Sequence, residues 1–285
     1  MQLILLSGLS GSGKSIALRL LEDTGYYCVD NLPASLLPQL IEQLREEGHE
    51  RVGVAVDVRS GTSIAALPEI IESIRSQVAS LLFIFLDARD DALIARFSET
   101  RRRHPLAEGH LSLQEAIARE RDLLTRIAEL GHRLDTSSLH PNVLRAWIRA
   151  LIEAAPSHGP TLMFQSFGFK HGIPVDADFV FDVRCLPNPY YDPALRTLTG
   201  LDQPVIDFMR ASDDTARMAQ DIRKFIANWL PSFQHDGRSY FTVAIGCTGG
   251  QHRSVYLAEW LAHEFAEQGN VLVRHRALDA GLKKA

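Results

Sequence analysis

The sequence predicts an α/β protein of two domains, each a parallel sheet covered by helices. Three observations carry this. Short, continuously apolar runs alternate with amphipathic segments through the first half, the pattern of strands buried on both faces. A stretch rich in Pro, Gly and Ser, residues 155–160, then interrupts the alternation. Beyond it the same patterning resumes less regularly. The expected domains are residues 1–154 and 161–285, and 285 residues suit two domains of ordinary size.

Leu3–Ser7 reads as the first buried strand, and Ile16, Leu20 and Leu21 stripe the helix after it. Tyr26–Val29 is a short strand ending at Asp30, and Leu36, Leu37, Leu40, Ile41 and Leu44 mark a second helix. Val52–Val58 is a strand, Ile64–Val78 a helix with Pro68 near its start, and Leu81–Leu86 a strand running into Asp87. Helices are expected over Leu93–Arg103 and Leu113–Leu130, then a strand at Arg133–Thr136 and a helix striped by Val143, Leu144, Trp147, Ile148, Leu151 and Ile152. In the second half, strands are expected at Leu162–Ser166, Phe179–Val183 and Tyr240–Ile245, and helices at Ala216–Trp229 and Val255–Glu267. Leu186–Gln203, with three prolines, reads as a long loop.

Composition excludes several classes. Hydrophobic residues make up 46% and charged residues 23%, so most of the chain can bury a core. Thirty Lys+Arg against 35 Asp+Glu leave −5, so any nucleic-acid role needs a local basic patch. Cys28, Cys185 and Cys247 lie far apart and form no CxxC pair. A disulfide framework or zinc site is not expected. No basic segment precedes Leu3–Leu6, and no apolar run approaches membrane-spanning length. A cytoplasmic protein without membrane attachment is the expectation.

Two motifs carry chemistry. Gly8-Leu9-Ser10-Gly11-Ser12-Gly13-Lys14-Ser15 fits G-x-x-x-x-G-K-[ST], with an apolar strand before it and an amphipathic helix after it. The glycines let backbone N–H groups turn toward phosphate oxygens, and the helix start adds partial positive charge. Lys14 is placed for the β/γ-phosphates and Ser15 for Mg²⁺. Such a loop needs an acid at a neighbouring strand end. Asp57, Asp87 and Asp30 are the candidates, and Asp57-Val58-Arg59-Ser60 is the richest sequence among them. Lys14 and Asp57 are the expected catalytic pair. Arg101-Arg102-Arg103-His104-Pro105 reads either as cations closing a helix or as the lid of a small-molecule kinase.

Cys247-Thr248-Gly249-Gly250-Gln251-His252-Arg253-Ser254 fits C-x₅-R-[ST], again between a strand and a helix. A glycine-rich turn presents several N–H groups to an anion, and Arg253 can bind two oxygens. Cys247 there would be partly thiolate. A phosphate-binding pocket is expected over a phosphatase, because no general acid can be assigned. Lys170, His171, Asp182 and Arg184 fall at strand ends of the same domain, where ligands of open α/β sheets bind.

Taken together, the motifs resemble the RapZ (YvcJ-like) family over essentially the whole chain. The resemblance rests on GLSGSGKS at 8–15, GYYCVDNLP at 25–33, DVRS at 57–60, ETRRRHPL at 99–106, FGFKHG at 167–172, DVRCLPNP at 182–189 and GCTGGQHRS at 246–254. It implies a kinase-like P-loop domain that binds and slowly hydrolyses ATP and GTP with Mg²⁺. Residues 57–60 would serve guanine nucleotide. It implies a second, phosphofructokinase-like domain that senses a phosphorylated amino sugar, glucosamine-6-phosphate. Some members of that family bind a small RNA and present it to an endoribonuclease, a role that relies on a basic tail, here Arg274, Arg276, Lys283 and Lys284, and a homo-oligomer is expected. Two other readings stay open: a small-molecule kinase, and a cysteine phosphatase at Cys247.

Overall fold

A computed structural model describes residues 1–58, 64–107, 111–154, 161–235, 240–268 and 270–281. Arg59, Ser60, Lys283 and Lys284 therefore lie outside the described residues. The chain divides into two compact units, Met1–Glu153 and Ala154–Ala285.

The first unit is a five-stranded parallel sheet. Its strands are β1 (Gln2–Gly8), β2 (Tyr27–Val29), β3 (Arg51–Ala55), β4 (Ser80–Asp87) and β5 (His132–Asp135), in the order β2-β3-β1-β4-β5. β1 is central, flanked by β3 and β4 in parallel register. Side chains alternate across a strand, and both faces here are dry. Leu3 and Leu5 join one core with α2 (Leu37–Glu46), α3 (Leu67–Arg75) and α5 (Leu113–Ala128). Ile4 and Leu6 face the other way and are equally buried. That side holds α1 (Lys14–Asp23), which packs on β1, β3 and α6 (Pro141–Glu153). A sheet wrapped this way exposes its strand ends rather than its faces.

One boundary differs from the sequence reading in a way that matters. The helix expected over Leu93–Arg103 is α4, Asp90–Thr100. Arg101 caps it with φ +51°, a left-handed conformation that ends the helical path. Arg102 and Arg103 thus leave the helix instead of closing it.

The second unit has β6 (Thr161–Gly168), β7 (Phe179–Asp182), β8 (Tyr240–Cys247) and β9 (Val271–His275), all parallel, in the order β7-β8-β6-β9. Leu162, Phe164, Phe241, Val243 and Ile245 form its core with α7 (Gln203–Arg210), α8 (Asp213–His235) and α9 (Arg253–Phe265). Three elements here escaped the sequence reading. α7 follows the proline-rich loop, with Pro at its start. The segment read as a basic tail is instead β9 followed by the short helix α10 (Arg276–Gly281). Arg274 is 4% and Arg276 7% exposed, and Arg274 donates to buried Asp176 at 3.1 Å. This corrects the expected tail: a guanidinium held on an interior carboxylate is not offered to RNA phosphates.

Candidate functional sites

The phosphate cradle begins where β1 stops. Gly8 has φ +139°, and a Cβ on it would lie 2.1 Å from the Leu86 carbonyl oxygen of β4, so only glycine fits. The Leu9 N–H donates to that same oxygen at 3.1 Å, and the Ser12 N–H to the Leu9 carbonyl at 3.0 Å. Gly13, at φ +111°, precedes the first residue of α1, Lys14. The loop is gripped from outside. Arg96 of α4 donates to the Gly11 carbonyl at 3.0 Å, and the Thr136 hydroxyl lies 2.8 Å from the Ser12 carbonyl. With its carbonyls held outward, the loop's remaining N–H groups and the start of α1 make an anion site.

Lys14 Nζ donates to the Gly8 and Leu9 carbonyls at 2.6 and 3.2 Å. A cavity of about 440 Å³ opens beside it, lined by Lys14, Ser15, Asp30, Asp57, Arg102 and Arg103 among others. The structure thus brings the P-loop, two of the three candidate acids and two residues of the arginine cluster around one space. It separates the third acid. Asp87 is bound by Arg121 at 2.9 Å, by Arg133 and by the Ala88 N–H, in a different cavity. Val58 is buried directly after Asp57. Ser15, Asp30 and Asp57 offer oxygen ligands of the hard kind that Mg²⁺ prefers. Among the described residues no cluster of three His, Cys, Asp or Glu could hold a metal alone.

Sequence reasoning missed Arg96 and Thr136, which grip the loop, and Glu120 on α5, which is wholly buried behind it. Burial pushes its carboxyl up, but the His104 hydrogen bond, the Lys14 charge and two bonds from Ser10 hold it below the ordinary carboxylate value. A depressed folded-state pKa contributes stability that is complete above the unfolded value and disappears as pH falls through the folded one. Urea midpoints of the wild type should therefore drop more steeply between about pH 5 and about pH 3 than those of Glu120→Gln. Parallel slopes in the two proteins would contradict this.

The second site lies at the carboxyl ends of β6, β7 and β8. Gly168 of β6 approaches the second loop so closely that a Cβ on it would meet the Gly249 backbone at 2.7 Å. The Lys170 N–H points to the Thr248 carbonyl at 3.4 Å. Lys170 and His171 are exposed on the short 3₁₀ turn after β6. Burial, then the Lys170 and Arg276 charges, lower the His171 pKa. Arg184 grips Asp182 through Nε at 3.0 Å and its terminal nitrogen at 2.6 Å, and lies over the Phe169 ring at 4.2 Å.

Cys247 is 2% exposed. Burial raises its pKa, but hydrogen bonding with Ser254, the Gly250 N–H and the Arg253 charge bring it below the ordinary thiol value. Sγ lies 3.2 Å from both Ser254 Oγ and Gly250 N. Burial instead pushes the Cys28 thiol up to about 12. Arg253 is 4% exposed and differs from expectation in its duties. One terminal nitrogen donates to the Arg184 and Leu186 carbonyls at 2.9 and 3.1 Å, and the other reaches Thr248 Oγ1 at 3.4 Å. Arg253 thus braces the segment after β7 against the loop after β8, and its Nε is buried without a hydrogen-bond partner among the described residues. His252 lies deeper. Burial lowers its pKa, while backbone hydrogen bonds with Leu195, Leu198 and Arg196 oppose that.

A parallel sheet whose central strand runs through Gly8–Ser15 into a helix defines the first unit as a P-loop fold. Residues 1–155 match the RapZ-like N-terminal domain, and residues 160–279 match the RapZ C-terminal domain. The chain belongs to the RapZ family. It is 69% identical over 277 residues to "Nucleotide-binding protein azo0399" of Azoarcus sp. (strain BH72), covering 97% of this chain and 95% of that one. It is 59% identical over 278 residues to a nucleotide-binding protein of Dechloromonas aromatica (strain RCB), covering 98% and 99%. Among solved structures it is similar to shikimate kinase from Bacteroides thetaiotaomicron, at 14% identity and a TM-score of 0.38, over 53% of this chain and 98% of that one. No helix among the described residues is long and apolar enough to cross a membrane.

Proposed function

We propose that the chain is a regulatory nucleotide-binding protein. It takes Mg²⁺ with ATP or GTP at Gly8–Ser15 and a phosphorylated amino sugar at Cys247–Arg253. The observation that carries the nucleotide reading is the cavity in which Lys14, Ser15, Asp57, Arg102 and Arg103 converge beside the start of α1. Lys14 would neutralise phosphate charge, and the loop's N–H groups would orient it. Asp57 and Ser15 would supply oxygens to the ion, which when bound polarises the phosphate oxygens. Calorimetry with ATP and GTP, with and without Mg²⁺, tests this reading. Affinity indifferent to the metal would count against it.

The sugar-phosphate reading is supported by the Gly249-Gly250 loop at the start of α9, with Lys170 beside it and the Nε of Arg253 unspent. Arg253→Ala should weaken glucosamine-6-phosphate binding by at least about tenfold, as expected for loss of a charge-assisted contact. Arg253→Lys should not restore it, because an ammonium cannot hold two carbonyls and an anion in one plane. Titration of glucosamine-6-phosphate against plain glucosamine checks both; equal binding of the two sugars would remove the phosphate from the reading. A kinase remains the second reading, favoured by Arg102 and Arg103 in the nucleotide cavity, and a phosphorylated product formed from ATP would establish it. An RNA-adaptor role would have to use Lys283, Lys284 and surfaces other than Arg274 and Arg276.

A further inference from the structure

Behind the P-loop lies a buried polar clasp in which Ser10 lines the phosphate cavity while Glu120 and His104 stand behind it. Glu120 Oε2 accepts the Ser10 N–H at 2.9 Å, and Oε1 accepts the Ser10 hydroxyl at 2.8 Å. His104 Nε2 lies 3.0 Å from Glu120 Oε2, and both side chains are fully buried. His104 Nδ1 accepts the Leu106 N–H at 3.1 Å. A ring nitrogen that accepts carries no proton, so in this tautomer Nε2 carries it and donates to Glu120. The His104 ring also packs on Phe97 at 5.2 Å, and Phe97 in turn covers Gly11.

The topology of these bonds is what matters. Ser10 is the third residue of the loop, and its peptide orientation sets the direction of the N–H groups after it. His104 directly follows Arg102 and Arg103, which line the same cavity. One carboxylate therefore holds both walls of the phosphate site. Burying that carboxylate is tolerable only while its donors stay in place, so displacing one partner costs the others their setting.

We propose that Glu120 is a positioning residue that couples the P-loop to the Arg102–Arg103 segment. The loop and the arginines then meet the nucleotide phosphates as one unit. The inference rests on the nucleotide reading above and adds to it a specific link between two of its parts.

Two substitutions of His104 separate the link from packing. Gln places an amide nitrogen near the Nε2 position and keeps the donor to Glu120, but loses the acceptor for Leu106. Asn places an amide oxygen near Nδ1 and does the reverse. The measurements are tryptic cleavage after Arg102 and Arg103, followed by mass spectrometry, and calorimetry with Mg·ATP and Mg·ADP. Thermal melting confirms that each variant is folded.

His104→Gln should stay within about twofold of wild type in both measurements. His104→Asn should be cleaved about tenfold faster and should bind ATP about tenfold more weakly, the scale of one lost charge-assisted hydrogen bond. Wild-type behaviour of His104→Asn would overturn the proposal. So would equal loss in both His104 variants, which would show packing rather than the donor at work. Faster cleavage with unchanged ATP affinity would also overturn it, leaving a clasp without coupling. Failure of the nucleotide reading looks different: the wild type itself would bind ATP no better than Lys14→Ala.

Discussion

Lys14→Ala should reduce ATP and GTP affinity by about ten- to hundredfold, because it removes a charge-assisted contact to phosphate. The fold should survive. Lys14 is the first residue of α1, only partly buried, and alanine is the best helix former. Its hydrogen bonds include those to the Gly8 and Leu9 carbonyls of the same loop, whose loss should lower the melting point without unfolding the chain. Glu120 should register the change at a distance, since the Lys14 charge is one of the influences that holds its carboxyl ionised. Calorimetry measures the affinity and melting measures the fold. Full affinity in a folded Lys14→Ala protein would place the nucleotide elsewhere.

Gly8→Ala should have the largest effect on stability, more than about 4 kcal/mol, which puts it among the exceptional single substitutions. Two penalties coincide. The residue sits at φ +139°, and its new Cβ would lie 2.1 Å from a backbone oxygen of β4. That oxygen belongs to Leu86, paired with Gly8 in the β1–β4 register and bonded to the Leu9 N–H. It cannot retreat without opening the centre of the sheet. Gly48→Ala is the control. Its φ is +82° but nothing lies within 4 Å, so only the left-handed backbone is penalised, by about 1–2 kcal/mol. Chemical denaturation of the two variants separates steric closure from backbone strain; similar midpoints would mean that β4 yields more easily than its pairing implies.

Much of this architecture is legible from the chain alone, because buried parallel strands are continuous apolar runs. β1, β4 and β8 stand out for that reason, and each motif sits where a strand gives way to a helix. What stays illegible is pairing over long separations. Asp57 and Asp87 look alike in sequence, each after an apolar strand. Only the fold sends Arg121 and Arg133 to Asp87 and leaves Asp57 on the P-loop cavity. Glu120 lies 110 residues from Ser10 along the chain. It occupies a helix full of charges, so nothing local marks it as an interior residue. Arg253 shows the reverse case. Its motif is plain, but its hold on the Arg184 and Leu186 carbonyls depends on a loop nearly 70 residues earlier. Arg274 and Arg276 misled for a related reason. Their partner, Asp176, belongs to the turn before β7, and cations near a chain's end read as solvated when that partner is unseen.

The placement of β9 has a practical bearing on how the end of this chain can be manipulated. β9 is an outer strand hydrogen-bonded along β6, and α10 follows it at once, with Ala277 against Gly250 of the loop after β8. A deletion designed to shave off terminal cations from residue 274 onward would cut through a sheet margin. It would also uncover Asp176 and withdraw the prop beneath the Gly249-Gly250 loop. Lost ligand or RNA binding in such a deletion would then report damage to the second domain rather than the absence of a docking arm. Charge reversals confined to residues 283 and 284 would leave that margin whole, and they are the cleaner instrument for any question about what the terminus recognises.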